Sequence, residues 1–198
     1  MYDGTWFQFP KIDPFEHISD PDYIYISHLH PDHYDAQFLH KLFDRFGVKP
    51  ILIPDLKTNY LLAKGKSDRL TLTLTRYLDL GDTEIYIEEN DTGSASDIDS
   101  AMIIRDNINR KSVLNLNDRM FNRSHVEKLQ KIITGFTKNI DLLALAYTGA
   151  GPFPRTFLDP NRERNLLVEK TERKKHQFFD RYRRYTDFFP ATYPMPFA

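Results

Sequence analysis

The fold is decided by the stretch Tyr23-Ile24-Tyr25-Ile26-Ser27-His28-Leu29-His30-Pro31-Asp32-His33. Its first four residues are all aromatic or β-branched, a composition typical of a buried strand. We therefore predict a strand over 23–27. This strand leads directly into a loop that concentrates histidine and aspartate.

Four potential metal ligands follow this strand within six residues: His28, His30, Asp32 and His33. Alternation along an extended segment places His28 and His30 on the same side, so both imidazoles can reach one metal. Asp32 and His33 come after a proline, where the chain turns, and can face a second metal beside the first. The chain has no cysteine, so any metal must be held by His, Asp or Glu, which suits Zn, Fe or Mn.

The periodicity of the remaining sequence predicts strands and helices in loose alternation. Further strands are predicted at 51–53, 70–75, 84–88, 101–105, 112–116 and 142–146. Helices are predicted at 35–46, 56–64, 124–134 and 161–189. We expect Ser124 to cap the third helix, with Glu127 completing a capping box. Several strands follow one another between 70 and 116, a pattern that favours a mixed α/β layered fold over a regular βαβ repeat.

Composition narrows the classes of partner. The 198 residues carry a formal net charge of −1, which argues against bulk attraction to nucleic acid or to an anionic membrane. No apolar run approaches the roughly 20 residues of a membrane helix, and the N-terminal segment does not resemble a signal peptide. We expect a cytoplasmic protein that acts on a small molecule. The sequence does not indicate an oligomeric state.

The segment from His28 to His33 resembles the HxHxDH signature of the metallo-β-lactamase superfamily. The resemblance implies an αββα sandwich with a dinuclear site at one edge that holds two divalent metal ions, Zn or Fe, with Mn as a third option. Val113-Leu114-Asn115-Leu116-Asn117-Asp118 resembles the later strand of that family, whose terminal aspartate bridges the two metals. By that match Asp118 is the bridging ligand.

Three further segments, at 150–157, 170–175 and 193–198, resemble the metallo-β-lactamase-like domain of CMP-N-acetylneuraminate hydroxylase and its bacterial relatives. The vertebrate-type members of that group also carry a Rieske iron–sulfur domain and oxidise a nucleotide sugar. A chain without cysteine cannot hold a Rieske cluster. An oxygenase reaction here would need an electron donor elsewhere.

Two departures from the family pattern shape our expectations. The segment 90–99 lacks the histidine ligand that the family places there. Asp97 or Asp99 could replace it as an oxygen ligand that favours Fe or Mn, and the equal alternative is a solvated acidic loop. Only 22 residues precede the metal-loop strand, and the family's last histidine is absent. We therefore expect residues 1–198 to form a single metallo-β-lactamase-like domain that is incomplete at both termini and part of a longer protein, with an exposed sheet edge and apolar surface.

For the isolated histidines, Tyr147 and the basic residues of 170–184, we expect structural roles first. His17, His40, His125 and His176 stand alone and are expected to be surface or packing residues, with His125 the nearest in sequence to Asp118. Tyr147 ends a strand before a glycine loop and is expected in the core, with an active-site position as the alternative. The basic residues of 170–184 are expected to form a solvated helix face, with docking of an anionic sugar or nucleotide sugar as the alternative.

Three functions remain open. The first is a metal-dependent hydrolase whose dinuclear site activates water, with His28, His30, Asp32, His33 and Asp118 as metal ligands and Asp32 also as a catalytic residue. The second is an iron-dependent oxidoreductase or hydroxylase on the same scaffold. The third is a non-catalytic relative with an incomplete metal site.

Overall fold

The computed structural model describes residues 12–90, 99–118, 122–146 and 153–197. Within these ranges the protein contains four α-helices, nine strands and one short 3₁₀ helix. The strands are β1 (Ile24–Tyr25), β2 (Ile51–Pro54), β3 (Leu72–Thr75), β4 (Tyr77–Asp79), β5 (Thr83–Asn90), β6 (Asp99–Asp106), β7 (Lys111–Asn115), β8 (Ile140–Ala146) and β9 (Ala191–Phe197). The helices are α1 (Ala36–Phe46), α2 (Tyr60–Ser67), α3 (Arg123–Phe136) and α4 (Arg164–Phe188).

The strands form two sheets, so the predicted mixed α/β class is confirmed. One sheet has the order β1-β2-β3, and the other runs from β4 to β9 in sequence order. The chain divides into two compact units, the first formed by Met1–Leu78 and Tyr86–Ala101, the second by Asp79–Ile85 and Met102–Ala198. The αββα layering and the single domain over 1–198 stay predictions.

The first unit is built on the three-stranded parallel sheet. Ile24 pairs with Ile51 and Ile51 with Leu72, so the central strand β2 has a neighbour on each side and is buried along its whole length. Continuous apolar strands of this kind suit a parallel sheet that is covered on its faces. The core of this unit comprises Ile26, Tyr34, Leu39, Ile51, Ile53, Leu61, Leu70 and Leu72.

Helix α1 follows the histidine loop and is fixed at both ends. The Asp35 carboxylate accepts a hydrogen bond of 3.0 Å from the backbone N–H of Phe38, which satisfies a donor that the first turn leaves without a partner. Gly47 ends the helix at φ +80, a conformation that glycine adopts without steric cost. These two residues therefore set the length of the helix directly after the loop.

In the second unit, β6 and β7 are antiparallel, whereas β7, β8 and β9 run parallel to one another. Each parallel pair requires a crossover connection, and helices α3 and α4 lie in those connections along the chain. The largest fully buried apolar side chains of this unit are Ile103, Leu114, Leu116, Leu129, Leu143, Leu145 and Phe189. This arrangement fixes the end of β7, where Asp118 follows.

Several predicted details were wrong. Helix α3 begins at Arg123 and its cap is Asn122, whose side chain accepts from His125 N at 3.0 Å. The Ser124 hydroxyl instead donates to the Asn122 side chain. Helix α2 begins four residues later than expected, because Asn59 supplies its cap. Strands β4 and β9 were not predicted.

Among the described residues, no helix combines the length and the apolar character that a membrane crossing requires.

We predict that Gly65→Ala destabilises the first unit. A Cβ at Gly65, a buried residue of α2, would stand 2.6 Å from Leu72 Cγ, so the core side chain would have to move. Overpacking of this kind costs about 1–3 kcal/mol. Urea unfolding of the variant and of wild type measures the change.

Gly135→Ala is the matched control, because an added Cβ there meets no heavy atom within 4 Å. Its stability should stay equal or rise by up to about 1 kcal/mol, since alanine is the better helix former. Equal unfolding midpoints for Gly65→Ala and wild type would contradict the packing described here.

A second prediction concerns the stability of the first unit in acid. The Lys64 ammonium and the Tyr34 hydroxyl each lie 2.7 Å from Asp68 Oδ2, and together they hold the pKa of that carboxyl below its usual range. A lowered pKa in the folded state stabilises the protein above the ordinary pKa of aspartate, and this stabilisation is lost as the pH falls through the folded value.

Asp68→Asn should therefore cost on the order of 1 kcal/mol at pH 7, and the difference from wild type should vanish near about pH 2. Denaturant unfolding across this pH range tests the prediction. Asp44→Asn, at an exposed position of α1, serves as the control and should show no such pH dependence. A constant cost at every pH would show that the Asp68 charge has no part in it.

Candidate metal centre

The histidine loop leaves β1 through a buried segment and then turns sharply. Ile26, Ser27 and His28 are buried, although the regular strand is shorter than the predicted 23–27. The backbone N–H groups of His33 and Tyr34 both donate to the carbonyl oxygen of His30, each at 2.9 Å. This turn brings the later half of the loop back towards the end of the strand.

The structure brings His28 and His30 together. His28 Nε2 lies 2.8 Å from His30 Nδ1, and the two rings stand nearly perpendicular at 81°. Two imidazole nitrogens bound to one zinc ion at about 2.0–2.1 Å each can be no more than about 4.2 Å apart. The observed separation lies within that limit, as the expected shared metal requires.

His33 and Asp32 form the second predicted pair. His33 Nε2 lies 3.8 Å from Asp32 Oδ2, and the His33 ring lies 4.1 Å from that of His28, measured between centroids. All four predicted ligands of the loop are therefore neighbours. His28 is buried, whereas His30 and Asp32 are exposed, so the cluster has one side in the protein and one side towards solvent.

Two residues outside the predicted ligand set contact the buried side of this cluster. Asp99 Oδ1 lies 3.1 Å from His28 Nδ1, the ring nitrogen that does not face His30. Ser27 Oγ lies 2.9 Å from the same nitrogen and 3.3 Å from His33 Nδ1. The sequence suggests Asp99 only as a replacement metal ligand and gives no signal for a role of Ser27.

The donor set fits a divalent metal. Three imidazoles and a carboxylate are the ligands expected for Zn, Fe or Mn in a protein without cysteine. A small cavity of about 30 Å³ is lined by His28 and His30 and by Pro54, Leu56 and Leu61. A space of this size admits a single water molecule or ion.

Asp118 belongs to the second unit and follows the end of β7. Asn117 precedes it with a left-handed φ of +52 and is buried, and its backbone N–H donates to the Asn115 side chain at 3.0 Å. Asparagine tolerates this conformation better than most residues because its side chain bonds locally. A constrained turn at Asn117 therefore fixes the backbone position of Asp118 after the end of β7.

Of the histidines expected at the surface or in packing positions, His17, His40 and His176 are exposed. His40 contacts the carbonyl oxygen of Asp68 at 3.0 Å. His125 lies in the first turn of α3. Tyr147 and Asp97 lie outside the described residues.

Comparison with known proteins identified curated relatives but no family model that matches the chain. A protein of Mycolicibacterium smegmatis named for a Rieske 2Fe-2S iron–sulfur cluster is 26% identical over 217 aligned positions, and a protein of Mycobacterium tuberculosis with the same kind of name is 26% identical over 212. Both alignments cover 100% of this chain and 38% of the relative. The chain thus spans well under half the length of the curated relatives it matches.

Two solved structures show a more distant likeness. The isothiocyanate hydrolase from Delia radicum gut bacteria has a TM-score of 0.47 and 16% identity, covering 67% of this chain and 51% of the other. Unliganded yeast PDE1 has a TM-score of 0.45 and 14% identity, covering 79% and 52% respectively. Both TM-scores are below 0.5, so the fold of this protein is defined by its own strands and helices and not by these two structures.

We predict that His30→Ala weakens metal binding at least about tenfold, since loss even of a residue that only supports a ligand costs 10–100-fold. His30 is exposed, so its removal should leave the fold intact. Metal content after dialysis against a limiting metal buffer measures the effect. His176→Ala, exposed on α4, is the control and should match wild type; equal metal retention by His30→Ala would exclude His30 as a ligand.

Proposed function

We propose that this chain is a metal-dependent enzyme domain of the metallo-β-lactamase type, and that its reaction is hydrolysis. The observation that carries this proposal is the convergence of His28, His30, Asp32 and His33, with 2.8 Å between the facing nitrogens of the first pair and 3.8 Å between the facing atoms of the second. The resemblance of this loop to the HxHxDH signature supports the family.

In this proposal His28 and His30 would hold one metal ion, and Asp32 and His33 would hold a second. By the family resemblance, Asp118 would be a ligand of both, because a carboxylate can offer one oxygen to each. When bound, such ions lower the pKa of water towards neutrality and polarise a carbonyl or phosphoryl oxygen of the substrate. Zn, Fe and Mn all suit the donor set.

Asp32 and His28 have different further roles in this proposal. Asp32 is exposed, so a carboxylate oxygen of Asp32 that does not hold metal could reach solvent and orient a water for attack or accept its proton. His28 is buried and keeps one edge of the site free of bulk water, which strengthens electrostatic interactions there. The proposal thus assigns orientation of the nucleophile to Asp32 and rigidity to His28.

We further propose a small-molecule substrate with an anionic group, such as a phosphorylated sugar or a nucleotide sugar. The long helix α4 carries many of the basic residues that could attract it. Part of that charge is used within the helix, since Lys170 lies 3.6 Å from Glu169 and Lys175 lies 3.4 Å from Glu172. Arg183 and Arg184 are exposed and are then the stronger candidates for gripping a phosphate.

The second candidate is an iron-dependent oxidoreductase, and the names of the curated relatives favour it. Those relatives are named for a Rieske cluster, align with the whole of this chain and are much longer than it. A Rieske cluster requires cysteine ligands, and this chain has none. In an oxidoreductase, electrons would therefore reach the histidine loop from a cluster carried by another segment or another protein.

Metal content combined with turnover separates these candidates. Purified chain is analysed for Zn, Fe and Mn, then assayed with an aryl phosphodiester and an aryl ester, and for oxygen consumption in the presence of a reductant. Zinc with ester turnover supports hydrolysis, and two irons with oxygen consumption support oxidation. Failure to bind any of these metals at micromolar concentration would overturn both and leave the non-catalytic alternative.

We predict that Asp118→Asn lowers the bound metal from about two ions to about one per chain, because an amide cannot offer an anionic oxygen to each ion. Elemental analysis of the two proteins, loaded under identical conditions, measures the change. Asp180→Asn, at an exposed position of α4, is the matched control. Unchanged metal content together with unchanged turnover would remove Asp118 from the site.

A further inference from the structure

The buried imidazole of His28 is contacted at both of its ring nitrogens by different partners. Nε2 faces His30 Nδ1 at 2.8 Å, and Nδ1 faces the Asp99 carboxylate at 3.1 Å. We infer that Asp99 is a positioning residue that holds His28 with its proton on Nδ1, so that Nε2 presents its lone pair as the metal ligand. This inference deepens the proposed function and rests on it.

The chemistry of the contact determines which ring nitrogen of His28 carries the proton. An ionised carboxylate only accepts hydrogen bonds, so the nitrogen that faces Asp99 must carry the hydrogen. In a neutral imidazole the other nitrogen then has none, and it is this nitrogen that can bind a metal. A carboxylate behind a metal-binding histidine also raises the basicity of the ring and fixes its orientation.

The location of Asp99 suits this role better than that of a direct ligand. The oxygen that contacts His28 lies at Nδ1, whereas the nitrogen facing the other candidate ligand is Nε2. Asp99 is also one of the buried charged residues of the first unit, with its side chain 9% exposed. Burial strengthens the attraction between the carboxylate and the facing side of the ring because water competes less for either group.

Asp99 is itself held in place by its neighbours. The backbone N–H of Ser100 donates to Asp99 Oδ1 at 2.6 Å, and the Ser100 hydroxyl donates to the Ser27 carbonyl at 3.0 Å. The Tyr25 hydroxyl lies 2.7 Å from that of Ser100. The start of β6 is thus bonded to the strand that carries the histidine loop, and the carboxylate has a defined position relative to His28.

Ser27 extends the same arrangement to a second histidine. Its hydroxyl lies within hydrogen-bonding distance of Nδ1 on both His28 and His33, at 2.9 and 3.3 Å. A hydroxyl oxygen has two lone pairs, so it can accept from the ring N–H groups of both histidines. A proton on His33 Nδ1 that is donated to Ser27 leaves His33 Nε2 to face Asp32, which matches the ligand pairing proposed above.

Asp99→Asn tests the inference, because the amide nitrogen can donate to His28 Nδ1 and so favours the opposite tautomer. The probe is Co²⁺ alone, added to the full 198-residue chain and followed by its absorption spectrum. We expect Asp99→Asn to bind Co²⁺ about 10–100-fold more weakly than wild type. Asp44→Asn, exposed on α1, is the matched control and should bind Co²⁺ as wild type does.

A second readout is independent of metal. In ¹⁵N-labelled, metal-free protein at about pH 8, where histidine is mostly neutral, two-bond ¹H–¹⁵N correlation spectra report which nitrogen carries the proton. Wild-type His28 should carry it on Nδ1, and Asp99→Asn should move it to Nε2. A wild-type proton on Nε2, or Co²⁺ affinity of Asp99→Asn within twofold of wild type, would overturn the inference.

The two proposals fail in different ways. Absence of Co²⁺ binding by wild type contradicts the proposed function, whereas the tautomer of His28 still decides the role of Asp99. If Asp99→Asn does not fold, the wild-type tautomer alone supports or overturns the inference.

Discussion

The placement of His28 is the constraint on which the candidate site depends. Its ring lies between a carboxylate at Nδ1 and another imidazole at Nε2, and it is almost completely buried. A buried polar ring is tolerated only when its hydrogen-bonding groups have partners. The end of β1, the start of β6 and the turn after His30 each supply one of the contacts that fix this ring.

Much of the fold and of the histidine cluster could be predicted from local sequence. The apolar run before Ser27 and the spacing of His28, His30, Asp32 and His33 are local features, and the structure brings all four candidate ligands together. The limits of α4 were predicted to within a few residues for the same reason, since its charged helical pattern is continuous. Local periodicity carries information only about neighbours along the chain.

The features that were missed depend on other kinds of information. Asp99 meets His28 across 71 residues, and no pattern within either segment indicates that contact. Strand β9 contains Pro194 and Pro196, which cannot donate to a sheet and normally argue against a strand. It is accommodated because, among the described residues, β9 is the last strand of its sheet, with β8 as its neighbour. At α3, two adjacent residues could each cap the helix, and Asn122 is used in place of Ser124.

The most direct test of the account is anomalous X-ray diffraction from crystals of the chain grown with Zn²⁺ or Co²⁺, with data collected at the absorption edge of the metal. We expect an anomalous peak within about 2.0–2.2 Å of both His28 Nε2 and His30 Nδ1, with Asp99 on the opposite side of the His28 ring. Absence of a peak at this position in protein that has bound the metal, or a peak at His28 Nδ1 beside Asp99, would contradict it.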